Sequence, residues 1–89
     1  MEYKAVESSQ IEAVAHDPET NTLGIKFPPN KKQREAGLPG SEYYYVNITP
    51  EFYTALLNAK TDPDFESVGK FFGKLIKPFP DKYPFVKVA

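Results

Sequence analysis

From Tyr43 to Phe52 the sequence YYYVNITPEF changes from a strand pattern to a helix pattern. Its first half consists mainly of aromatic and β-branched residues, which favour strands. Because side chains alternate across a strand, these residues divide between two faces. The more apolar set, predicted to face the core, is Tyr44, Val46 and Ile48. The set predicted to lie on the open face of the sheet is Tyr43, Tyr45 and Asn47.

Two further strand patterns precede this segment. Residues 11–16 are largely apolar, and residues 23–27 alternate Leu23, Ile25 and Phe27 with Gly24 and Lys26. Residues 17–21 between them (Asp-Pro-Glu-Thr-Asn) are typical of a tight turn. We therefore expect the two strands to form an antiparallel hairpin.

Two helices are predicted after the strands. Thr49 is suited to cap the first helix, with a proline at the first helical position. Its apolar stripe is Phe52, Ala55, Leu56 and Ala59. Residues 61–64 break the pattern, and a second helix is predicted to run to about Lys77. Its apolar face is Phe65, Val68, Phe72, Leu75 and Ile76. The prolines beyond Lys77 end the helix, and residues 85–88 can add a short strand.

This order of elements predicts the α+β class. Three antiparallel strands are followed by two helices packed on one face of the sheet, with a short C-terminal strand as an addition. Because the chain has 89 residues, residues 1–89 are expected to form a single domain. Tyr43 and Tyr45 on the uncovered face would form a binding surface, or the C-terminal tail or a second copy would cover them. Because a thin sheet with aromatic residues outside gains from a second copy, we expect a homo-oligomer.

Composition excludes several classes of function. The chain has eleven Lys and Arg against twelve Asp and Glu, which argues against bulk DNA binding. It has no cysteine and one histidine, so we expect no metal site, no cofactor and no catalysis. No apolar run approaches the roughly 20 residues that span a bilayer, and no signal pattern opens the chain. We expect no membrane association and a cytoplasmic location.

Positive charge is concentrated towards the C-terminus. Residues 67–89 carry five lysines and one aspartate, which makes this segment the best candidate to face an anion. The simpler interpretation is that these lysines solvate a helix. Arg34 belongs to a second basic cluster, residues 31–34, in the long polar segment 28–42. Such a loop is either functional or a tolerated insertion.

Five elements in order give the chain a resemblance to a known family. They are Ser8-Ser9-x-Ile11, Leu23-x-Ile25-x-Phe27, Tyr43-x-Tyr45-Val46, Phe52-Tyr53-x-x-Leu56-Leu57-x-Ala59 and Ser67-x-Gly69-Lys70-x-Phe72. Together they resemble the KTSC domain, a small domain named for its place at the C-terminus of certain lysyl-tRNA synthetases, over about residues 6–86. The resemblance implies a compact α+β domain, often free-standing and often phage-encoded, and it implies no enzymatic reaction. Loop 28–42 and residues 61–66 are longer than the family pattern, which puts any family site beside them in doubt.

The segment from Ser67 to Lys70 is the most distinctive local candidate for a binding site. If a helix begins at Ser67, the amides of the next three residues point at one spot, and Lys70 adds positive charge. That arrangement can bind a phosphate. The alternative is an ordinary N-cap, with Gly69 allowing close packing.

Other candidates have simpler structural explanations. The carboxylates Asp62, Asp64 and Glu66 are expected to lie in the first turn of a helix rather than at a catalytic site. His16 is expected to be a surface or turn residue. Ser8 and Ser9 can donate hydroxyls to a ligand, but serine pairs before a strand are common in turns.

Three functions remain open. The first is a non-catalytic receptor for a small phosphate-bearing ligand, with a cyclic nucleotide favoured. Its expected ligand-binding residues are Tyr43, Tyr45, Ser67, Gly69, Lys70, Lys74, Arg34, Ser8 and Ser9. Such a protein, if phage-encoded, could act in the host cytosol as a sponge that sequesters an immune signal. The alternatives are a module that binds single-stranded RNA or tRNA through stacking tyrosines, and a protein–protein adaptor.

Overall fold

Five antiparallel strands form one sheet in the computed structural model, which describes residues 1–89. In sheet order the strands are β1 (Lys4–Ala5), β2 (Ala13–Asp17), β3 (Thr22–Lys26), β4 (Glu42–Tyr45) and β5 (Phe85–Lys87). The helices are α1 (Lys31–Glu35), α2 (Pro50–Leu57) and α3 (Val68–Leu75), with a 3₁₀ turn at Ala59–Thr61. None of these helices has the length and apolar character needed to cross a membrane.

The α+β class and the antiparallel sheet are confirmed, and the number of strands is five rather than three. The C-terminal strand forms as β5, paired with β4. The strand β1 was missed because its two residues are too few to show a period. The hairpin of β2 and β3 is confirmed, with Asp17 paired to Thr22 across the turn. Asn21 closes that turn with a φ of 52°.

The faces predicted for the third strand were wrong. Tyr43 pairs with Ile25 and Tyr45 with Leu23, so both tyrosines share the face of those fully buried residues. Tyr45 is only 6% exposed, whereas Val46, predicted to be in the core, is 37% exposed. Alternation separates two faces but does not say which of them the helices cover. Tyr43 and Tyr45 therefore lie beneath the helices and not on an open surface.

The alternation also ends earlier than predicted. Strand β4 stops at Tyr45, and Asn47 adopts a left-handed backbone with a φ of 66°. This kink returns Ile48 to the core, where it is fully buried. The same bend brings the Ile48 carbonyl oxygen to 2.6 Å from Nε2 of His16, whose ring stacks on Tyr53. His16 thus holds the start of α2 against β2.

The helices begin where their capping residues predict. The Thr49 hydroxyl oxygen accepts a hydrogen bond from the Phe52 amide at 3.2 Å. Leu56 and Ala59 are buried as predicted, but Ala55 is exposed. Helix α3 ends at Leu75, two residues short of the prediction, and it also buries Phe71, which the predicted apolar face omitted.

The acidic residues before α3 do not lie in its first turn. The carboxylate of Asp62 accepts a hydrogen bond from the Asp64 amide at 2.9 Å, which makes a local turn. Glu66 has a φ of 64° and precedes the cap residue Ser67. All three residues thus belong to the connection from α2, where the Asp62 carboxylate stabilises a turn, rather than to the first turn of α3.

The sheet face away from the helices is covered by the N-terminal segment. A Cβ at Gly24 would lie 2.6 Å from the Tyr3 hydroxyl, so the absence of a side chain there lets Tyr3 lie across the sheet. The Tyr3 hydroxyl donates a hydrogen bond to Glu42 at 2.5 Å, and Lys26 Nζ lies 4.3 Å from the ring centroid. Burial, with a smaller contribution from Glu42, raises the pKa of Tyr3 well above its ordinary value. The expectation of a homo-oligomer stays a prediction, but open-face tyrosines no longer support it.

Candidate functional site

An aromatic groove of about 490 Å³ opens between the end of the sheet and α3. Five aromatic rings line it, from β4, β5, α3 and the residue that follows β3: Tyr43, Tyr45, Phe85, Phe72 and Phe27. Its other lining residues are Pro28, Asn30, Gln33, Ser41, Lys77 and Pro80. We call this cavity the aromatic groove.

The rings of the aromatic groove support one another. The rings of Tyr45 and Phe72 meet edge to face with centroids 5.2 Å apart, and Phe85 lies 5.3 Å from Tyr45 on the other side. Burial raises the pKa of Tyr45, and Tyr43 adds to the shift, so the phenol stays neutral. Phe85 is 53% exposed at the groove mouth. The groove therefore offers a preformed floor and one accessible ring on which a planar ligand can stack.

Two amide donors at one wall of the aromatic groove are free. The side-chain oxygens of Asn30 and Gln33 each accept a backbone amide hydrogen bond from the other residue at 2.8 Å, which caps α1. Because both oxygens are engaged, the two NH₂ groups are the free ends of these side chains. No side-chain hydrogen bond engages them or the Ser41 hydroxyl within the protein. The wall therefore presents donors to a ligand rich in acceptors.

One cation lines the aromatic groove. Lys77 follows the last turn of α3, where its amide donates to the Phe72 carbonyl oxygen at 3.0 Å. The one ion pair in the structure joins Lys60 to Glu7 and does not involve Lys77. The Lys77 ammonium group is thus unpaired, and no carboxylate lines the groove.

A second groove of about 510 Å³ adjoins the first along α3, and we call it the α3 groove. Its lining residues are Gln10, Ile11, Phe27, Gly69, Phe72, Gly73 and Lys77. Phe27, Phe72 and Lys77 belong to both grooves. The rings of Phe27 and Phe72, with centroids 5.8 Å apart, line both grooves, and we call this pair the ridge.

The structure gathers only some of the predicted ligand-binding residues. Tyr43 and Tyr45 line the aromatic groove, and Gly69 lines the α3 groove. The Ser67 hydroxyl oxygen accepts a hydrogen bond from the Lys70 amide at 3.0 Å and so acts as the N-cap. The residues that lie outside both grooves are Ser67, Lys70, Lys74, Arg34, Ser8 and Ser9.

Close packing accounts for Gly69. A Cβ there would lie 2.4 Å from Oε1 of Gln10 and 2.9 Å from Oγ of Ser8. The Ser8 hydroxyl in turn accepts a hydrogen bond from the Gln10 amide at 3.1 Å. The Ser8 hydroxyl therefore stabilises a local turn, and the segment 8–10 covers part of the space in front of α3.

Three polar groups of the site were missed from sequence, namely Asn30, Gln33 and Lys77. The spacing of Asn30 and Gln33 is that of a capping box and could have indicated α1. Lys77 was assigned to the solvent face of α3, but the helix ends before it. No group of three or more His, Asp or Glu side chains is placed to hold a metal ion.

Comparison with known proteins identifies relatives of the whole chain. The model of the KTSC domain family matches residues 7–83. A protein of Tsukamurella paurometabola is 34% identical over 73 residues, which cover 82% of this chain and 85% of that protein. The crystal structure of a KTSC domain protein from Yersinia pestis superposes with a TM-score of 0.71 at 24% identity, covering 99% of this chain and 97% of that one. The last likeness shows that the two chains share a fold.

Proposed function

The chain belongs to the KTSC domain family, and we propose that it is a non-catalytic receptor for a small nucleotide. The observation that carries the proposal is the aromatic groove, with its stacked rings, two free amide donors and unpaired Lys77. Its volume lies in the range of small-molecule sites, roughly 300–1,000 Å³.

The chemistry of the groove supports a nucleotide over other small ligands. A nucleobase is planar and can stack on Phe85 and Tyr43, while its ring nitrogens and carbonyl oxygens accept hydrogen bonds from Asn30 and Gln33. A single lysine suffices for a phosphate, because the ammonium group acts as a point charge with three donors. A ligand that needs only one cation is compatible with a chain whose net charge is −1.

The proposal extends to stoichiometric capture. A receptor that binds a cyclic nucleotide and returns it intact would act as a sponge, and in a phage-encoded protein it would sequester an immune signal of the host. What supports this extension is the frequent phage occurrence that the family resemblance implies. The ligand must then be recovered unchanged after binding.

A thermal-shift panel with a matched pair of variants tests the proposal. The ligands are linear and cyclic nucleotides and a short single-stranded RNA. Phe85→Ala removes a half-exposed ring from the aromatic groove, and Phe79→Ala removes a ring of similar exposure (47% against 53%) outside it. We expect one nucleotide to raise the melting temperature saturably, Phe85→Ala to abolish the shift and Phe79→Ala to retain it.

Other outcomes would replace the proposal. A flat panel with every nucleotide would contradict it and favour a protein–protein adaptor. A shift with RNA alone that weakens steeply with salt would favour an RNA-binding module. Recovery of a hydrolysed ligand would show catalysis and refute the non-catalytic part.

A further inference from the structure

We infer that the ligand is a dinucleotide, with one nucleoside in each groove and the linking phosphate at Lys77. This inference rests on the proposed function and adds the class of nucleotide. It starts from the paired arrangement of the aromatic groove and the α3 groove, which share the residues of one ridge.

The two grooves are matched in size. Their volumes are about 490 and 510 Å³, and neither is a minor extension of the other. The ridge between them is the pair of rings Phe27 and Phe72. Two units of similar size joined by a linker that crosses the ridge would match this arrangement.

The position of positive charge indicates what that linker is. Lys77 lines both grooves and is the one cation that lines either. No aspartate or glutamate lines either groove. The site thus carries its charge at the junction and none at its two ends, which complements a linking phosphate between two neutral nucleosides.

Each groove also offers hydrogen-bonding groups to a base. The aromatic groove has the free NH₂ groups of Asn30 and Gln33. The α3 groove has the exposed side-chain amide of Gln10, which makes no hydrogen bond within the protein. Gly73 adds room, because a Cβ there would meet no atom within 4 Å. The α3 groove is otherwise lined by the two glycines and by the apolar side chains of Ile11, Phe27 and Phe72.

Isothermal titration calorimetry with three kinds of probe tests the inference. The mononucleotides are AMP and GMP, the linear dinucleotides are ApA and GpG, and the cyclic forms are cyclic di-AMP and cyclic di-GMP. With the preferred base, we expect a dinucleotide to bind at least roughly tenfold more tightly than its mononucleotide, since the second unit binds at a high effective concentration. Comparing the linear with the cyclic dinucleotides shows which of the two supplies the phosphodiester that the site binds.

Three variants assign the two grooves. Gly73→Leu fills the α3 groove and should reduce the affinity of the dinucleotide to that of the mononucleotide. Lys77→Gln should weaken dinucleotide binding about tenfold or more, because it removes a charge-assisted contact. Lys82→Gln, which removes a nearby lysine outside both grooves, should leave the affinity unchanged within about twofold.

These measurements distinguish failure of the dinucleotide inference from failure of the proposed function. If mononucleotides bind and neither dinucleotide form binds more tightly, the inference is wrong and the proposed function stands. Full dinucleotide affinity in Gly73→Leu would likewise overturn the two-groove assignment. If no probe binds, the inference is wrong, and the thermal-shift panel with the wider set of nucleotides decides whether the proposed function is wrong as well.

Discussion

Replacing Gly73 by alanine should stabilise the protein. Gly73 lies inside α3, and a Cβ added there would have no heavy atom within 4 Å. The methyl group therefore meets no clash, while the unfolded chain loses conformational freedom and the helix gains propensity. We expect the free energy of unfolding to rise by about 0.5–1 kcal/mol.

Gly69, one helical turn earlier, is the matched control with the opposite environment. A Cβ there would meet Oγ of Ser8 at 2.9 Å as well as the flexible end of Gln10. Gln10 can move at little cost, but Ser8 cannot without losing its hydrogen bond to the Gln10 amide, which is worth about 1 kcal/mol. This loss offsets the helix gain, so Gly69→Ala should be neutral or destabilising by up to about 1 kcal/mol.

Urea denaturation followed by far-ultraviolet circular dichroism measures both variants. The expected difference between them is about 0.5–2 kcal/mol, which corresponds to roughly 2–16 °C in melting temperature for a domain of this size. An equal gain in stability from Gly69→Ala and Gly73→Ala would refute the reasoning. It would mean that segment 8–10 does not pack on α3 as described.

Two further changes test other parts of the fold. The raised pKa of Tyr3 means that the unfolded chain loses this proton first, so stability is full below the ordinary tyrosine pKa of about 10 and falls above it. In urea titrations, the free energy of unfolding of the Tyr3→Phe variant should fall less between neutral and strongly alkaline pH than that of the unmodified protein. Equal losses would contradict the assignment of this pH dependence to Tyr3. Ser67→Ala should cost about 1 kcal/mol through loss of the α3 cap. Calorimetry should show a lower melting temperature for it than for the exposed Ser9→Ala, and identical values would contradict the capping role.

The elements with local causes were predictable from sequence. Thr49 followed by Pro50 fixes the start of α2 because capping depends on residues within one helical turn. The turn at residues 17–21 sets the β2–β3 hairpin in the same way. The strand β1 is different, since Lys4 and Ala5 become a strand only by pairing with Val14 and Ala13. Such pairing is a property of the folded chain and leaves no periodic pattern.

Tyr43 and Tyr45 line the candidate site although the sheet face predicted for them was wrong. Tyr43 and Tyr45 were chosen as rings on an open sheet, but their neighbours Ile25 and Leu23 place them on the covered face. They nevertheless line a groove, together with Phe85 of β5 and with Lys77, which follows the end of α3 at Leu75. The aromatic pattern thus indicated two of the lining residues, whereas the other lining residues come together only in the folded chain.

The other expected ligand-binding residues show how local chemistry differs from assembled chemistry. Ser67 and Lys70 were selected because adjacent residues can form a helix N-terminus, and in the fold their contact is a hydrogen bond with each other. The donors of the aromatic groove come instead from α1, and its cation comes from the end of α3, with more than forty residues between Gln33 and Lys77. Asn30 and Gln33 present their NH₂ groups only because mutual capping occupies their oxygens. A site assembled in this way follows from the tertiary arrangement of short elements, and each of its parts alone has an ordinary structural role.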